Sequence, residues 1–275
     1  MAFTRATLLL GAALVLGSAQ GALAADLGSY GGSIKDGPMM APMEAPRPSV
    51  YFRIDGGYST FDDPTMTEIG IYDLTEESID STWSIGGGIG RNFGNGFRAD
   101  LTYDHRFEAD AEGNLADHQA TLEGVRKFGI ESDVVLANLY YDFDYGNRFT
   151  PYIGVGLGFT RNKTTAGTVE SCGCTTATIE EGSDTNVAGA AMAGFSLRLR
   201  GGEQVVHGGS FKDGPVNVSA SRGLYLDAGY RFLYLGGVET GEIVHVGGGT
   251  IIAEDPTVED IHAHEFRVGL RYDIN

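Results

Sequence analysis

Basic residues are scarce in this sequence, and their scarcity excludes a large class of partners. The 275 residues include 19 Lys and Arg against 37 Asp and Glu, which gives a formal net charge of −18. Nucleic-acid binding depends on attraction between basic side chains and phosphates, so an anionic chain is repelled at every encounter. The composition therefore argues against any nucleic-acid partner.

Cysteine is almost absent, and glycine, although abundant, follows no three-residue period. Two cysteines are too few for a disulfide scaffold or a four-cysteine zinc site. The 42 glycines without a period exclude a collagen-like chain, and the 10% of aromatic residues argue against simple disorder. We predict no cofactor and no metal site.

Long apolar runs are also missing, and the longest one near the start is typical of a signal peptide. Arg5 precedes the apolar run Leu8 to Leu16, which leads to the small residues Ala22-Leu23-Ala24. This order is what a signal peptidase recognises, so residues 1–24 are predicted to be removed. A membrane-spanning helix needs about 20 apolar residues, and the run has far fewer. Export without such a helix predicts a periplasmic, secreted or outer-membrane protein of a Gram-negative bacterium.

A proline-rich segment follows the predicted cleavage site. Residues 25–49 contain Pro38, Pro42, Pro46 and Pro48, which lack an N–H and stiffen the backbone toward polyproline geometry. The sequence therefore predicts a periplasmic linker here. Residues 50–275 form the predicted folded domain.

Strict alternation of apolar and polar residues begins at Val50. In the first segment Phe52 and Ile54 share one face, while Arg53 and Asp55 share the other. Eight segments of about 10 residues show this alternation, with aromatic residues toward their ends. Short connections (92–96 and 145–148) alternate with long ones (60–80, 108–130, 161–185 and 235–263).

Together these features predict an all-β protein, an antiparallel transmembrane β-barrel of eight strands. Its apolar face would contact lipid and its polar face would line the lumen. A ten-stranded barrel is the alternative, because residues 201–221 are long for a periplasmic turn. Residues 204–207 or 216–219 would then form the additional strands.

Several segments resemble the small OmpA-type outer-membrane barrels of alphaproteobacteria. They are the mature start Ala25-Asp26-Leu27, the strand at 138–143, the strand at 227–232 and the last strand. Within the last strand, Arg267, Gly269, Tyr272 and Ile274 are similar to the signal that the outer-membrane assembly machinery recognises. The chain departs from that signal at its end, where Asn275 replaces an aromatic residue.

The resemblance implies a set of partners. It implies an outer-membrane location, with contacts to lipid and lipopolysaccharide and recognition by the assembly machinery. Related barrels are joined covalently to peptidoglycan through a mature N-terminal Ala-Asp, which here is Ala25 and Asp26. Relatives are also associated with haem capture, for which His262 and His264 would be the candidate ligands. Two histidines at the lipid–water boundary are, however, more often ordinary interfacial residues.

The polar face of the predicted barrel carries nearly balanced charges, and its basic residues are all arginines. Eight strands enclose a space that side chains fill, and charges removed from water must be paired. The planar guanidinium fork suits such pairing, so we predict an ionic plug and no wide aqueous pore. The predicted network consists of Arg53, Asp55, Arg98, Asp100, Asp104, Arg106, Asp142, Asp144, Arg198, Asp227, Arg231, Glu265, Arg267, Arg271 and Asp273.

Acidic residues dominate two of the long connections. Residues 61–80 and 236–262 contain no Lys or Arg. They are predicted to be solvated acidic loops, with bridging of Ca²⁺ or Mg²⁺ to lipopolysaccharide phosphates as the alternative.

Two further motifs stand in the connections between strands. Cys172 and Cys174 form a Cys-Gly-Cys triplet, for which export to an oxidising compartment predicts a local or intermolecular disulfide. The octapeptide at 31–38, GGSIKDGP, recurs at 208–215 as GGSFKDGP. Alternate crossings place both copies on the periplasmic side, where they serve either a shared role or only as a turn module.

We predict a non-enzymatic barrel that contributes to envelope integrity and surface presentation. A small porin and a haem- or ligand-binding barrel are alternatives. A lipid-modifying enzyme would need a His and a Ser paired on the lipid face. His105 is the candidate histidine within a strand, and no H-x-S sequence stands around it.

Overall fold

The computed structural model describes residues 49–67, 72–117, 122–143, 148–200, 223–247 and 257–274. The predicted signal peptide, the linker except its last residue, and both repeat copies lie outside this part of the chain. The described residues include no helix that is long and apolar enough to cross a membrane. Their strands are β1 (Ser49–Phe61), β2 (Thr65–Thr67), β3 (Tyr72–Ile79), β4 (Thr82–Asn92), β5 (Phe97–Asp117), β6 (Leu122–Asp142), β7 (Phe149–Thr164), β8 (Gly167–Ser171), β9 (Cys174–Ile179), β10 (Gly182–Arg200), β11 (Leu224–Tyr234), β12 (Val238–Glu239), β13 (Ile243–His245), β14 (Thr257–Glu259) and β15 (His262–Ile274).

Eight of these strands close into an antiparallel barrel, as predicted. The ring runs β1, β4, β5, β6, β7, β10, β11 and β15, and β15 returns to β1 over the pairs Val50–Ile274 to Phe61–Ala263. Because β10 pairs directly with β11, the ring closes without the additional strands of the ten-stranded alternative. Residues 204–207 and 216–219 lie outside the described residues.

The two ends of the barrel differ, and we name them by their connections. At the turn end, β4 and β5 are joined by a tight turn in which the Phe93 N–H bonds to the Phe97 carbonyl at 2.9 Å. β1 begins and β15 finishes at this end. At the loop end the strands continue upward, and β5 and β6 reach 21 residues each.

Three segments that the sequence predicts as long loops are largely strand, so that prediction is wrong for them. β3 pairs with β5, and the β8–β9 hairpin pairs with β6 and with β13. For the segment 108–130 the physical reason is a bulge in β5, which falls between Arg106 and Ala109 in its pairing with β6. The inward positions are even-numbered up to Arg106 and odd-numbered from Ala109, which interrupts the alternation that identifies a strand.

Inside the barrel, charged side chains fill the turn end and the middle, and an apolar layer lies above them toward the loop end. The segment after β11 folds over this layer. The Asn162 side chain donates to the carbonyls of Leu235 (2.9 Å) and Gly237 (3.0 Å), and Asn186 donates to Gly237 at 2.6 Å. The buried apolar layer includes Val134, Leu136, Ala188, Leu233, Leu235, Val238, Ile243, Val258, Ile261 and Ala263.

Glycines on the inward faces of the strands make room for these side chains. A Cβ at Gly86 would collide with the Asp104 carboxylate, and a Cβ at Gly57 would collide with Glu265. A Cβ at Gly154 would meet the Tyr140 ring. Small residues on one strand therefore accept large ones from the next, which fits a narrow eight-stranded lumen.

We expect Gly158→Ala to destabilise the barrel by about 1–3 kcal/mol, because its Cβ would overlap the backbone carbonyl of Val135. The matched control is Gly189→Ala on the neighbouring strand, where the nearest atom to a Cβ is a Leu157 methyl at 4.0 Å. That change is expected to stay within about 0.5 kcal/mol. Urea titration of both folded variants measures the difference, and equal stabilities would contradict the packing argument.

Candidate functional site

The outer wall of the barrel is apolar around its whole circumference. Adjacent residues alternate sharply, since Ile54 is 65% exposed and Arg53 only 7%. Leu157 on the opposite side of the barrel is 70% exposed. Every barrel strand contributes large apolar side chains to this wall, among them Phe52, Ile54, Ile85, Ile89, Leu101, Tyr103, Val135, Leu139, Val155, Leu157, Val187, Phe195, Tyr234, Val268 and Leu270.

Aromatic pairs border this wall at both ends. Tyr58 packs edge-on against Trp83 toward the loop end, and Phe97 packs edge-on against Tyr141 toward the turn end, each with ring centroids 5.0 Å apart. Burial of each large apolar side chain is worth about 1.5–3 kcal/mol, and water-soluble monomers expose apolar patches of a few hundred Å² at most. A closed ring with an apolar outer wall, aromatic borders and a charged interior matches a hydrocarbon surrounding. The protein is an eight-stranded outer-membrane barrel.

Comparisons with known proteins found similar sequences in Brucella and solved structures with a similar fold. An uncharacterized protein of Brucella abortus is 26% identical over 298 residues, covering 93% of this chain and 94% of that protein, and one of Brucella suis matches equally. Neisserial surface protein A is 17% identical, with a TM-score of 0.42, covering 82% of this chain and 97% of that one. Outer membrane protein OprG from Pseudomonas aeruginosa is 12% identical, with a TM-score of 0.42, covering 84% and 99%. No protein-family model matches the chain.

The ends of the outer-membrane barrel can now be oriented. Barrels of this kind have short periplasmic turns and longer extracellular loops. The turn end, with the tight connection after Asn92, therefore faces the periplasm. The loop end, with the extended β5 and β6, faces outward from the cell.

In the part of the lumen nearer the loop end, the charged side chains are grouped around Glu265. Its carboxylate is fully buried and accepts hydrogen bonds from Arg231 (2.6 and 3.1 Å), from Arg106 and from the Ser84 hydroxyl at 2.8 Å. Arg231 also donates to Asp104 at 2.8 Å. Two fully buried guanidinium groups thus share one carboxylate, which is why both are tolerated away from water.

Arg53 connects several polar side chains in the middle of the lumen through hydrogen bonds. Its guanidinium donates to both carboxylate oxygens of Asp55 (2.6 and 2.8 Å), to Asp100 (3.0 Å) and to the Tyr140 hydroxyl (3.1 Å). Arg267 connects this group to the upper one, because it lies 2.7 Å from Asp104 and 3.4 Å from Asp55. The bidentate geometry is the one that arginine is suited to make.

The periplasmic part of the lumen is closed by arginines that stack on tyrosines. Arg98 donates to Asp142 at 2.9 Å and lies over the Tyr140 ring, 4.2 Å from its centroid. Arg271 donates to Asp227 at 3.0 Å and lies over the Tyr225 ring at 4.3 Å. Arg271 is also 3.7 Å from Asp273. The stacking supplies cation–π attraction in addition to the ion pairs.

Arg198 departs from the predicted network. Among the described residues, no carboxylate lies within 4.0 Å of its guanidinium, which instead stands 5.9 Å from the centroid of the Tyr225 ring. Arg198 is half-buried near the turn end of β10, and its Nε is buried without a hydrogen-bond partner among the described residues. Asp144, also predicted in the network, lies outside the described residues.

The interior leaves little free volume. The void between Arg53, Tyr140, Tyr152 and Arg231 is about 10 Å³, enough for about one water molecule. The apolar layer above this void was not predicted from the sequence. Beside the layer, the buried Arg126 donates a hydrogen bond to the Thr240 hydroxyl at 3.1 Å. The sequence feature that could have indicated this layer is a set of apolar residues inside an acidic segment, such as Val238 and Ile243.

The predicted local disulfide is not formed. Cys172 and Cys174 are both free and exposed. They occupy the β8–β9 hairpin, where Cys172 and Gly173 have φ of 49° and 79° and Cys174 pairs across the turn with Ser171. Cys174 therefore faces Ser171, whereas a Cys-x-Cys ring would need the two thiols to meet. The intermolecular disulfide stays a prediction.

The assembly-signal residues all lie on β15. Arg267 points into the lumen, and Gly269 leaves space for Asp55. Tyr272 is half-exposed on the outer wall, and Ile274 pairs with Val50. Asn275, Ala25 and Asp26 lie outside the described residues.

The histidines singled out from the sequence lie on the outer wall. His264 contacts the Tyr230 hydroxyl through Nδ1 (2.5 Å) and Asp62 through Nε2 (3.1 Å), while His262 stacks on Phe232. His105 contacts Asp133 at 2.9 Å. Among the described residues, no three His, Cys, Asp or Glu side chains are grouped to hold a metal ion.

Proposed function

We propose that this outer-membrane barrel is a non-enzymatic structural protein that supports envelope integrity and presents a surface outside the cell. The observation that best supports this proposal is the filled lumen, in which the ionic network lies beneath the apolar layer. A conducting barrel needs a continuous wet path, whereas the middle of the described interior holds a void of only about 10 Å³. A larger pocket of about 100 Å³ lies at the periplasmic mouth, beside Arg198, Tyr225 and Arg271. The lumen therefore favours a structural role over a small porin.

Several strands extend well beyond the part of the barrel that spans the membrane. β5 and β6 continue well past the outer aromatic border, and β3, β8, β9 and β13 extend them sideways into one sheet. A strand rises about 3.3 Å per residue, so 21 residues far exceed the ~25 Å apolar band even when tilted. The excess length supports surface presentation as part of the role.

We expect the purified barrel to produce no stable conductance steps in a planar lipid bilayer. The double variant Asn162→Ala/Asn186→Ala, which loses the bonds to the covering segment, serves as a comparison with a loosened outer layer. It is expected to conduct no more than brief, irregular currents, because the arginine–carboxylate network beneath is unchanged. Large, stable steps in the unaltered protein would establish the small porin in place of the structural barrel.

The anchor to the cell wall is the second part of the proposal. It rests on the resemblance of the mature start, Ala25-Asp26, to that of tethered barrels. If residues 26–48 adopt polyproline geometry at ~3.1 Å each, they span ~70 Å, which is the reach available to the tether.

Digestion of purified sacculi tests the tether. We expect a muropeptide attached to the peptide that begins at Ala25, and we expect the attachment to be lost in Asp26→Ala. The control Asp36→Ala changes an acidic residue within the same segment and should keep the attachment. Recovery of only unmodified Ala25 peptide would refute the tether and leave the barrel's structural role untouched.

A further inference from the structure

The outer wall of β7 and β10 changes from apolar to polar within two residues. Phe159 and Val187 are paired and are about 60% exposed, at the top of the lipid-facing surface. The next outward pair is Arg161 with Thr185, and the one after it is Lys163 with Ser183. Successive outward residues are about 6.6 Å apart along a strand, so these four lie directly above the hydrocarbon.

Arg161 has no carboxylate partner in this position. It is exposed, and among the described residues no Asp or Glu oxygen lies within 4.0 Å of its guanidinium. The residue paired with it on β6, Asp133, is already occupied by the Tyr103 hydroxyl (2.7 Å) and by His105 (2.9 Å). Within the described outer wall, Arg161 is the outward-facing arginine at the extracellular end.

Lys163 stands next to it in the same outward row. Its ammonium donates to Glu131 at 2.7 Å, and this hydrogen bond raises the pKa of Lys163, so the side chain is charged at neutral pH. On the other side, Thr185 and Ser183 are exposed and offer hydroxyl donors without adding negative charge. The side chains of this row therefore offer hydrogen-bond donors on the side of β10. The carboxylates that balance the positive charge of the row lie on the side of β6.

A ligand for this row must be anionic, rich in acceptor oxygens, and held at the boundary of the outer hydrocarbon layer. A guanidinium fork binds a phosphate through two parallel hydrogen bonds, and long basic side chains extend from the apolar surface to reach the headgroup level. The apolar side chains below, Phe159 and Val187, would contact acyl chains of the same molecule. We propose that Arg161, Lys163, Ser183 and Thr185 form a binding site for the phosphate of an outer-leaflet phosphorylated glycolipid.

The inference rests on the outer-membrane location and on the outward orientation of the loop end, so it is independent of the tether and of the filled lumen. The test is native mass spectrometry of the full mature protein, titrated in detergent with bis-phosphorylated lipid A. The test variant is Arg161→Ala/Lys163→Ala. The matched control is Arg148→Ala/Arg200→Ala, which removes two exposed arginines from the periplasmic ends of the same two strands.

We expect the test variant to bind lipid A on the order of tenfold more weakly, the loss of one bidentate charge-assisted contact, while the control binds as the unaltered protein does. Lipid A without its phosphates, and phosphatidylglycerol, should bind the unaltered protein as weakly as lipid A binds the test variant. Undiminished binding of dephosphorylated lipid A, or equal binding of phosphatidylglycerol, would overturn the assignment, as would equal binding by both variants. Heat-dependent gel mobility shows that each variant is folded, and Arg161→Gln replaces the double variant if that one is not.

Discussion

Replacing Glu265 by Ala is expected to destabilise the barrel by about 3–5 kcal/mol, the effect of breaking a buried ion pair on one side. The carboxylate is buried completely and neutralises Arg106 and Arg231, which are themselves shielded from water. Its removal leaves both guanidinium groups buried beside Asp104, a carboxylate that Arg231 and Arg267 already share. Equilibrium unfolding in urea, from detergent micelles, measures the loss.

The control for this change is an exposed acidic residue with a similar partner. Glu112 lies 3.1 Å from Lys127 on the extracellular extension, and both side chains are about half-exposed. Because exposed pairs are worth about 0–1 kcal/mol, Glu112→Ala should leave stability nearly unchanged. Equal effects at Glu265 and Glu112 would show that the lumen charges are hydrated and that the interior is not a closed ionic network.

Placing an arginine at Val155 is expected to cost about 2–4 kcal/mol in a lipid bilayer, the penalty for a charge on the lipid face near the membrane midplane. Val155 lies midway along the apolar row of β7 and is 60% exposed. In a water-soluble protein an exposed valine could be replaced by arginine at almost no cost. The substitution therefore separates the two surroundings.

Val246 provides the matched control, since the same substitution can be made at similar exposure. It is 63% exposed and lies in the turn after β13, beyond the barrel wall. Val246→Arg should change stability by less than about 0.5 kcal/mol. Folding titrations in vesicles compare the two variants, and a Val155→Arg variant as stable as Val246→Arg would contradict a lipid-facing wall.

The faces of the strands could be predicted from sequence because a strand has a period of two. Phe52 and Arg53 are enough to assign the two sides of β1, and the same reasoning identifies the arginines and carboxylates of the lumen. The number of strands and the antiparallel barrel follow from repetition of that pattern, and both are confirmed. The location in the outer membrane follows from which side is apolar.

The pairing of particular charges could not be predicted in this way. Asp104 accepts from Arg231, 127 residues away, and from Arg267, 163 residues away. Such partners are set by the stagger between strands across the whole ring, which alternation along each strand does not specify. The outer end of β5 was missed for a local reason, since the bulge after Arg106 shifts the alternation by one residue.

The most direct test of the lipid-facing wall is a scan of solvent accessibility along β7. Single cysteines at the outward positions 153, 155, 157 and 159, in a Cys172→Ser/Cys174→Ser background, would carry a spin label in bilayers. Relaxation by oxygen reports lipid, and relaxation by a water-soluble nickel complex reports water. We predict high oxygen and low nickel accessibility at all four positions. High nickel accessibility at 155 and 157 would contradict the account, because those side chains would then face water.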